Sequence, residues 1–212
     1  MIIGHINKLD KKNINKNFIK KRHGLEKKLD CSSFIYSTKN TMFMIFDKKF
    51  NEYNFYEDHK FILYIKGSLV KHHFKLKAEQ ILLEFRLNRD FPVQKFTGSY
   101  FIFIFDKYKN EIICITDYFN SHKIYVKKNK SETLFSSNLG LPIILNLIEK
   151  KISKQFFYRY TLGNYRSSHG RIISPLEELN LLPGRSLIKL SYKLEIEIKT
   201  LKYSSINKNL KK

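Results

Sequence analysis

The sequence predicts an α+β domain of packed layers, and three observations support this class. Residues 98–106 and 111–117 are almost continuously apolar and flank a polar turn at 107–110, which predicts a β-hairpin buried on both faces. Residues 77–87 carry apolar side chains at a helical period. Predicted strands come first along the chain, helices follow, and strands return near the end, as in layered α+β domains.

Short apolar segments bounded by polar turns predict the remaining strands. These lie at 2–6, 41–47, 61–65, 123–126, 133–136, 185–190 and 194–201. We expect the strands at 123–126 and 133–136 to continue the sheet of the central hairpin. Helices are predicted at 141–150 and 154–162. Between 7 and 30 the chain is polar and carries one weak apolar stripe.

Length and composition favour a single folded domain. The chain has 212 residues, 42% hydrophobic and 15% aromatic, enough for a sizeable core. We expect one domain over 1–203, with 204–212 as a polar tail or the start of a linker. No apolar run reaches the length of a membrane span, and the first residues do not resemble a secretory signal. Two cysteines make no disulfide framework, so a cytoplasmic location is expected.

The formal net charge of +21 has two interpretations. A strongly basic protein can bind nucleic acid or another polyanion. The lysines, however, are scattered along the whole chain together with abundant Asn, Ile, Phe and Tyr, which favours a compositional origin. We therefore expect no nucleic-acid partner, and a basic stand-alone binding module remains the alternative.

Three motifs follow one another between Phe96 and Ser137: FTGSYFIFIFD at 96–106, DYFNSHKIY at 117–125 and LFSS at 134–137. They are similar to the G-x-F-a-f-x-x-x-D strand, the D-x-x-G-x-K-P-L-Y-Y block and the l-x-F-a-S-E strand of one family. That family is the N-terminal, class II glutamine amidotransferase domain of asparagine-synthetase-like proteins. Weaker matches are an L-x-P-G turn at 182–184, a Y-N-G-E turn at 65–68, and a first-strand glycine at Gly4. The resemblance implies the four-layer αββα sandwich of N-terminal-nucleophile hydrolases.

The chain departs from this family where glutamine would react. Active members begin with a cysteine whose thiolate attacks glutamine, whereas residues 1–4 contain no Cys, Ser or Thr. The family's substrate-binding arginine falls at Met42, and the aspartate that binds the substrate amine falls near Ala78. Its oxyanion-binding asparagine and the following glutamate fall at Lys66 and Ser68. We therefore predict no catalytic, cofactor-binding or metal-binding residue.

The resemblance implies a degenerate glutaminase domain that acts as scaffold or partner for an ATP-dependent amide-forming synthetase. The chain contains no Ser-Gly-Gly pyrophosphate loop, so we expect that synthetase to be separate or missing. An exposed apolar patch should then bind it, or a second copy in a homodimer. An active amidotransferase that uses unrecognised residues is a further alternative.

Other reactive side chains are interpreted as structural. Cys31 is expected in a loop, although cleavage after Asp30 would make it a first residue. Cys114 lies among isoleucines and is expected in the core. The histidine pair at 72–73 has no Cys or carboxylate residue at metal-ligand spacing. His122 is expected to be a loop residue without acid–base function. The later glycines form no phosphate-binding loop: Gly163, Gly170 and Gly184.

Overall fold

The structure is a computed structural model that describes residues 1–7, 12–71, 74–87, 96–161 and 173–201. Its residues group into two compact units. Unit 1 comprises Met1–Phe50, Lys123–Pro183 and Ser191–Glu195. Unit 2 comprises Asn51–His122, Gly184–Leu190 and Ile196–Lys212. The single domain expected over 1–203 stays a prediction, and the proposed tail at 204–212 lies outside the described residues.

The described residues form fourteen strands and four helices. The strands are β1 (Ile2–Asn7), β2 (Ser32–Ser37), β3 (Thr41–Asp47), β4 (Phe55–Glu57), β5 (Phe61–Gly67), β6 (Val70–Lys71), β7 (Phe74–Lys75), β8 (Tyr100–Asp106), β9 (Glu111–Thr116), β10 (Tyr125–Lys128), β11 (Glu132–Ser136), β12 (Asn180–Leu181), β13 (Ser186–Ser191) and β14 (Ile196–Thr200). The helices are α1 (Lys12–Leu29), α2 (Ala78–Leu87), α3 (Gly140–Ile144) and α4 (Lys154–Thr161). Within these ranges, no helix combines the length and apolarity that crossing a membrane requires.

Unit 1 contains a six-stranded sheet in the order β12-β10-β11-β1-β3-β2. The central strand β1 pairs antiparallel with β11 on one side and with β3 on the other. The expectation that residues 123–126 and 133–136 continue the sheet of the central hairpin is therefore wrong. Apolar periodicity reports that a strand is buried, but it does not report which strand pairs with it.

Gly4 shows how closely the unit 1 sheet is packed. It pairs with Phe135 on β11 and with Phe43 on β3. A Cβ at this position would lie 2.1 Å from the Phe135 ring and 2.7 Å from the Phe43 Cβ. Glycine is required here because the two phenylalanines occupy the space above it.

Unit 2 contains a second six-stranded sheet, in the order β14-β13-β9-β8-β5-β4. The predicted central hairpin is confirmed: β8 and β9 pair antiparallel from Phe101↔Thr116 to Asp106↔Glu111, inside the sheet. All seven residues of β8 are buried, as the unbroken apolar run predicted. The turn is fixed by the Asp106 carboxylate, whose Oδ1 accepts hydrogen bonds from the backbone N–H groups of Tyr108 and Lys109, each at 3.0 Å.

The helices agree in part with the sequence pattern. Helix α2 confirms the period over 77–87, and its buried Ala78, Ile81 and Leu82 join the apolar core of unit 2. The helix predicted over 141–150 is shorter, because α3 ends at Ile144. The reason is that Asn146 adopts a left-handed backbone (φ 57°) and donates its N–H to the Ile143 carbonyl.

Candidate functional site

The start of β1, where the resemblance places a nucleophile, carries only apolar side chains. The Met1 backbone nitrogen donates a hydrogen bond to the Phe46 carbonyl oxygen. The Met1 side chain packs against the apolar core of unit 1, with its sulfur 3.3 Å from the Asn138 Nδ2. A thioether has no proton to lose and cannot replace the thiolate of an active glutaminase.

Cys31 is partly buried against the core of unit 1, two positions after the end of α1. Its backbone N–H donates to the Glu26 carbonyl at 3.1 Å. Burial raises the pKa of its thiol, and the nearby Glu26 and Asp47 carboxylates act in the same direction. The thiol is therefore less reactive than an ordinary cysteine at neutral pH.

The two positions where the resemblance places substrate-binding charges are buried and uncharged. Met42 on β3 is 3% exposed and pairs with His5 on β1. Ala78, the first residue of α2, is fully buried, and its backbone N–H donates to the Glu52 carbonyl at 2.8 Å. Neither side chain can pair with the carboxylate or the amine of an amino acid.

The turn at the end of β5 has a glycine backbone conformation that its neighbours enforce. Gly67 has φ +96°, and a Cβ there would lie 2.1 Å from the Ser99 carbonyl oxygen. The facing Gly98 has φ +126°, and a Cβ there would lie 2.1 Å from the Ser68 carbonyl oxygen. The Ser68 N–H donates to the Ser99 carbonyl at 2.8 Å. The two segments therefore approach so closely that both positions require glycine.

A buried carboxylate organises the loop after β9. Asp117 is 2% exposed and accepts hydrogen bonds from the backbone N–H of Tyr100 (3.0 Å) and of Ser121 (3.1 Å). Asn120 adopts a left-handed backbone (φ 53°) where the resembled family has a glycine. Asparagine is among the side chains that tolerate this conformation best. A Cβ at Gly184 would lie 2.7 Å from the Asn120 Cβ, so the turn before β13 packs against this loop.

His122 lies between the two segments, and we call Lys66, Gly67, Ser99, Asp117 and His122 the turn cluster. The Ser99 Oγ is 3.4 Å from the His122 Nε2. Burial lowers the pKa of His122, and the positive charge of Lys66 lowers it further, against opposing effects of Asp117 and of a hydrogen bond with the Ser99 backbone. The net shift favours the neutral imidazole. Neither Ser99 nor its proximity to His122 was predicted from the sequence.

The other residues singled out from the sequence lie either in the core or outside the described residues. Cys114 is completely buried, as expected, and burial raises the pKa of its thiol. Among the described residues, no group of three or more His, Cys, Asp or Glu could hold a metal ion. The histidine pair at 72–73 and two glycines lie outside the described residues: Gly163 and Gly170.

Comparison with known proteins supports the fold at a coarse level. No protein-family model matches the chain, and no curated protein matches its sequence. Among solved structures, it is similar to glutamine phosphoribosylpyrophosphate amidotransferase from B. subtilis complexed with ADP and GMP, with a TM-score of 0.55 and 8% identity. The match covers 97% of this chain and 49% of that one, so this chain spans about half its length. The likeness supports an N-terminal-nucleophile hydrolase type of fold.

Proposed function

We propose that this chain is a glutaminase-type domain of the asparagine-synthetase-like family that has lost glutamine hydrolysis. In this proposal the fold is a four-layer αββα sandwich, and the domain is a scaffold or partner for an ATP-dependent amide-forming synthetase. The observation that carries the proposal is the turn containing Lys66, Gly67 and Ser68. Its backbone keeps a conformation that requires glycine, whereas the side chains on both sides differ from those that glutamine hydrolysis uses.

The missing residues would serve different steps of glutamine hydrolysis: nucleophilic attack, oxyanion binding and substrate binding. Residues 1–4 contain no Cys, Ser or Thr, so the covalent intermediate has no nucleophile. Lys66 stands where an amide would bind the oxyanion, and loss of one such donor costs on the order of a hundredfold in rate. Met42 and Ala78 remove the charges that would hold the substrate.

The loop after β9 provides a surface for the proposed partner. Tyr118 is 52% exposed and Phe119 is 84% exposed, and their rings meet edge to face with centroids 5.0 Å apart. Two adjacent exposed aromatic rings are typical of the residues that dominate protein interfaces. The scaffold role itself comes from analogy with two-domain relatives such as β-lactam synthetases.

Glutamine hydrolysis is tested directly. Purified protein is incubated with glutamine, and ammonia and glutamate are measured against a buffer blank, with a known glutaminase as the positive control. We expect no release above the blank. Release that increases with protein concentration and survives further purification would contradict the proposal and support an active amidotransferase with unrecognised residues.

The partner is tested by light scattering after size exclusion. The chain is measured alone and with an ATP-dependent amide-forming synthetase, at low and high salt. We expect a complex with the synthetase, or a homodimer, that persists at high salt. Phe119→Ser should weaken the affinity of this association at least tenfold, whereas Tyr108→Ser should leave it unchanged. Tyr108 is the matched control because it is 72% exposed in the β8–β9 turn. A monomer that binds neither the synthetase nor a second copy of itself would contradict the scaffold role. Binding to a polyanion that is abolished by salt would instead favour the basic binding module.

A further inference from the structure

Ser99 is an exposed serine on a well-fixed backbone. It precedes β8 and follows Gly98, and its carbonyl accepts the 2.8 Å hydrogen bond from the Ser68 N–H. The next residue, Tyr100, is anchored through its N–H to the buried Asp117 carboxylate. The Ser99 hydroxyl is thus accessible to a substrate while its main chain is held on both sides.

The same carboxylate fixes the segment that carries His122. Asp117 accepts a hydrogen bond from the Ser121 N–H at 3.1 Å, and the Ser121 hydroxyl lies 3.4 Å from the same oxygen. One buried group therefore holds the residue after Ser99 and the residue before His122. Ser99 and His122 are adjacent because both neighbours bind Asp117.

The surroundings of His122 favour the form that accepts a proton. A Cβ at Gly67 would lie 2.6 Å from the His122 Nε2, so the imidazole packs against bare backbone next to the Ser99 hydroxyl. Burial lowers the pKa of His122 and the charge of Lys66 lowers it further, whereas Asp117 and a hydrogen bond with the Ser99 backbone act in the opposite direction. A separation of 3.4 Å is long for a hydrogen bond, but nucleophile–base pairs are often looser without substrate.

We propose that Ser99 is a nucleophile with His122 as its general base, and that the pair transfers acyl groups from activated esters. The Ser99 Oγ attacks the ester carbonyl carbon while its proton passes to the His122 Nε2. The C–O bond to the leaving group then breaks, and the imidazolium gives that proton to the departing alkoxide, which leaves as the alcohol. Water attacks the acyl-serine while one of its protons passes to the His122 Nε2. The bond from the acyl carbon to the Ser99 Oγ then breaks, the imidazolium returns the proton to that oxygen, and the carboxylic acid is released.

This proposal goes beyond the scaffold role and does not depend on it. It concerns a serine and esters, whereas the loss of glutamine hydrolysis concerns the start of β1 and glutamine. Ammonia release and serine acylation are separate measurements, so either proposal can fail alone.

The experiment uses a fluorophosphonate probe and p-nitrophenyl acetate on the full chain. Mass spectrometry locates the modified residue, and p-nitrophenol release reports turnover. We expect modification of Ser99, abolished in Ser99→Ala and about a hundredfold slower in His122→Ala, the range for loss of a general base. Added imidazole should restore part of the rate in His122→Ala, which a purely structural role of His122 would not allow. Ser32→Ala is the control, because Ser32 is an exposed serine in β2 whose variant should react like the wild type.

The outcomes decide the proposal either way. It is overturned if Ser99 is not modified, if His122→Ala reacts at the wild-type rate, or if imidazole restores nothing. Circular dichroism verifies that each variant folds, and His122→Gln replaces His122→Ala if the alanine variant does not.

Discussion

Replacement of Gly67 by alanine tests whether the turn cluster depends on glycine. A backbone with φ +96° costs a non-glycine residue on the order of 1–3 kcal/mol. The added Cβ would lie 2.1 Å from the Ser99 carbonyl oxygen, so that carbonyl must move. The movement weakens the hydrogen bond from the Ser68 N–H, a loss of about 1 kcal/mol. Together these effects predict a destabilisation of roughly 2–4 kcal/mol.

Urea denaturation followed by circular dichroism and tyrosine fluorescence measures this change, since the chain has no tryptophan. Gly24→Ala is the matched control: Gly24 lies within α1, and no atom lies within 4 Å of its added Cβ. That variant should gain up to about 1 kcal/mol from helix propensity. A free energy of unfolding for Gly67→Ala within about 0.5 kcal/mol of the wild-type value would be a smaller change than the lower end of the backbone cost. Glycine would then not be required at this position.

Three further positions are tested by substitution, with Phe74→Ala as a control. Asp117→Asn should destabilise the chain by about 1–3 kcal/mol, because an amide supplies one acceptor oxygen where the carboxylate supplies two; an unchanged urea midpoint would contradict this. The hydrogen bond from the Ser33 hydroxyl lowers the pKa of Glu26 below its ordinary 4.5, despite an opposing effect of burial. The ionised carboxylate therefore stabilises the folded state above pH 4.5, and this contribution is lost as the pH falls through the lowered pKa. Glu26→Gln should accordingly be less stable than the wild type at pH 7 and converge with it as the pH falls below 4.5, whereas a constant difference would refute the assignment. Phe103→Ala, at a fully buried site, should cost about 3–5 kcal/mol, and Phe74→Ala, at a site 75% exposed, should change thermal stability little.

Local sequence patterns predicted the elements in which the run or spacing of apolar residues indicates the buried faces. The hairpin of β8 and β9 follows from two unbroken apolar runs, and α2 follows from one apolar face. The closing hairpin predicted over 185–201 is confirmed as the antiparallel pair β13 and β14. By contrast, β2 was not predicted, because its sequence SSFIYS is half polar and only partly buried at a sheet edge.

The sequence alone was enough to indicate a domain with doubly buried strands and to predict the loss of glutamine hydrolysis. Both predictions depend on which residues are present, and that is a local property. Strand partners and the turn cluster depend on contacts between distant residues: His5 meets Glu132 across 127 positions, and Ser99 meets His122 across 23. Residue periodicity carries no information about such pairings, because burial can be satisfied by any apolar partner. Only the tertiary structure places Asp117 between Tyr100 and Ser121, and with that brings the serine and the histidine together.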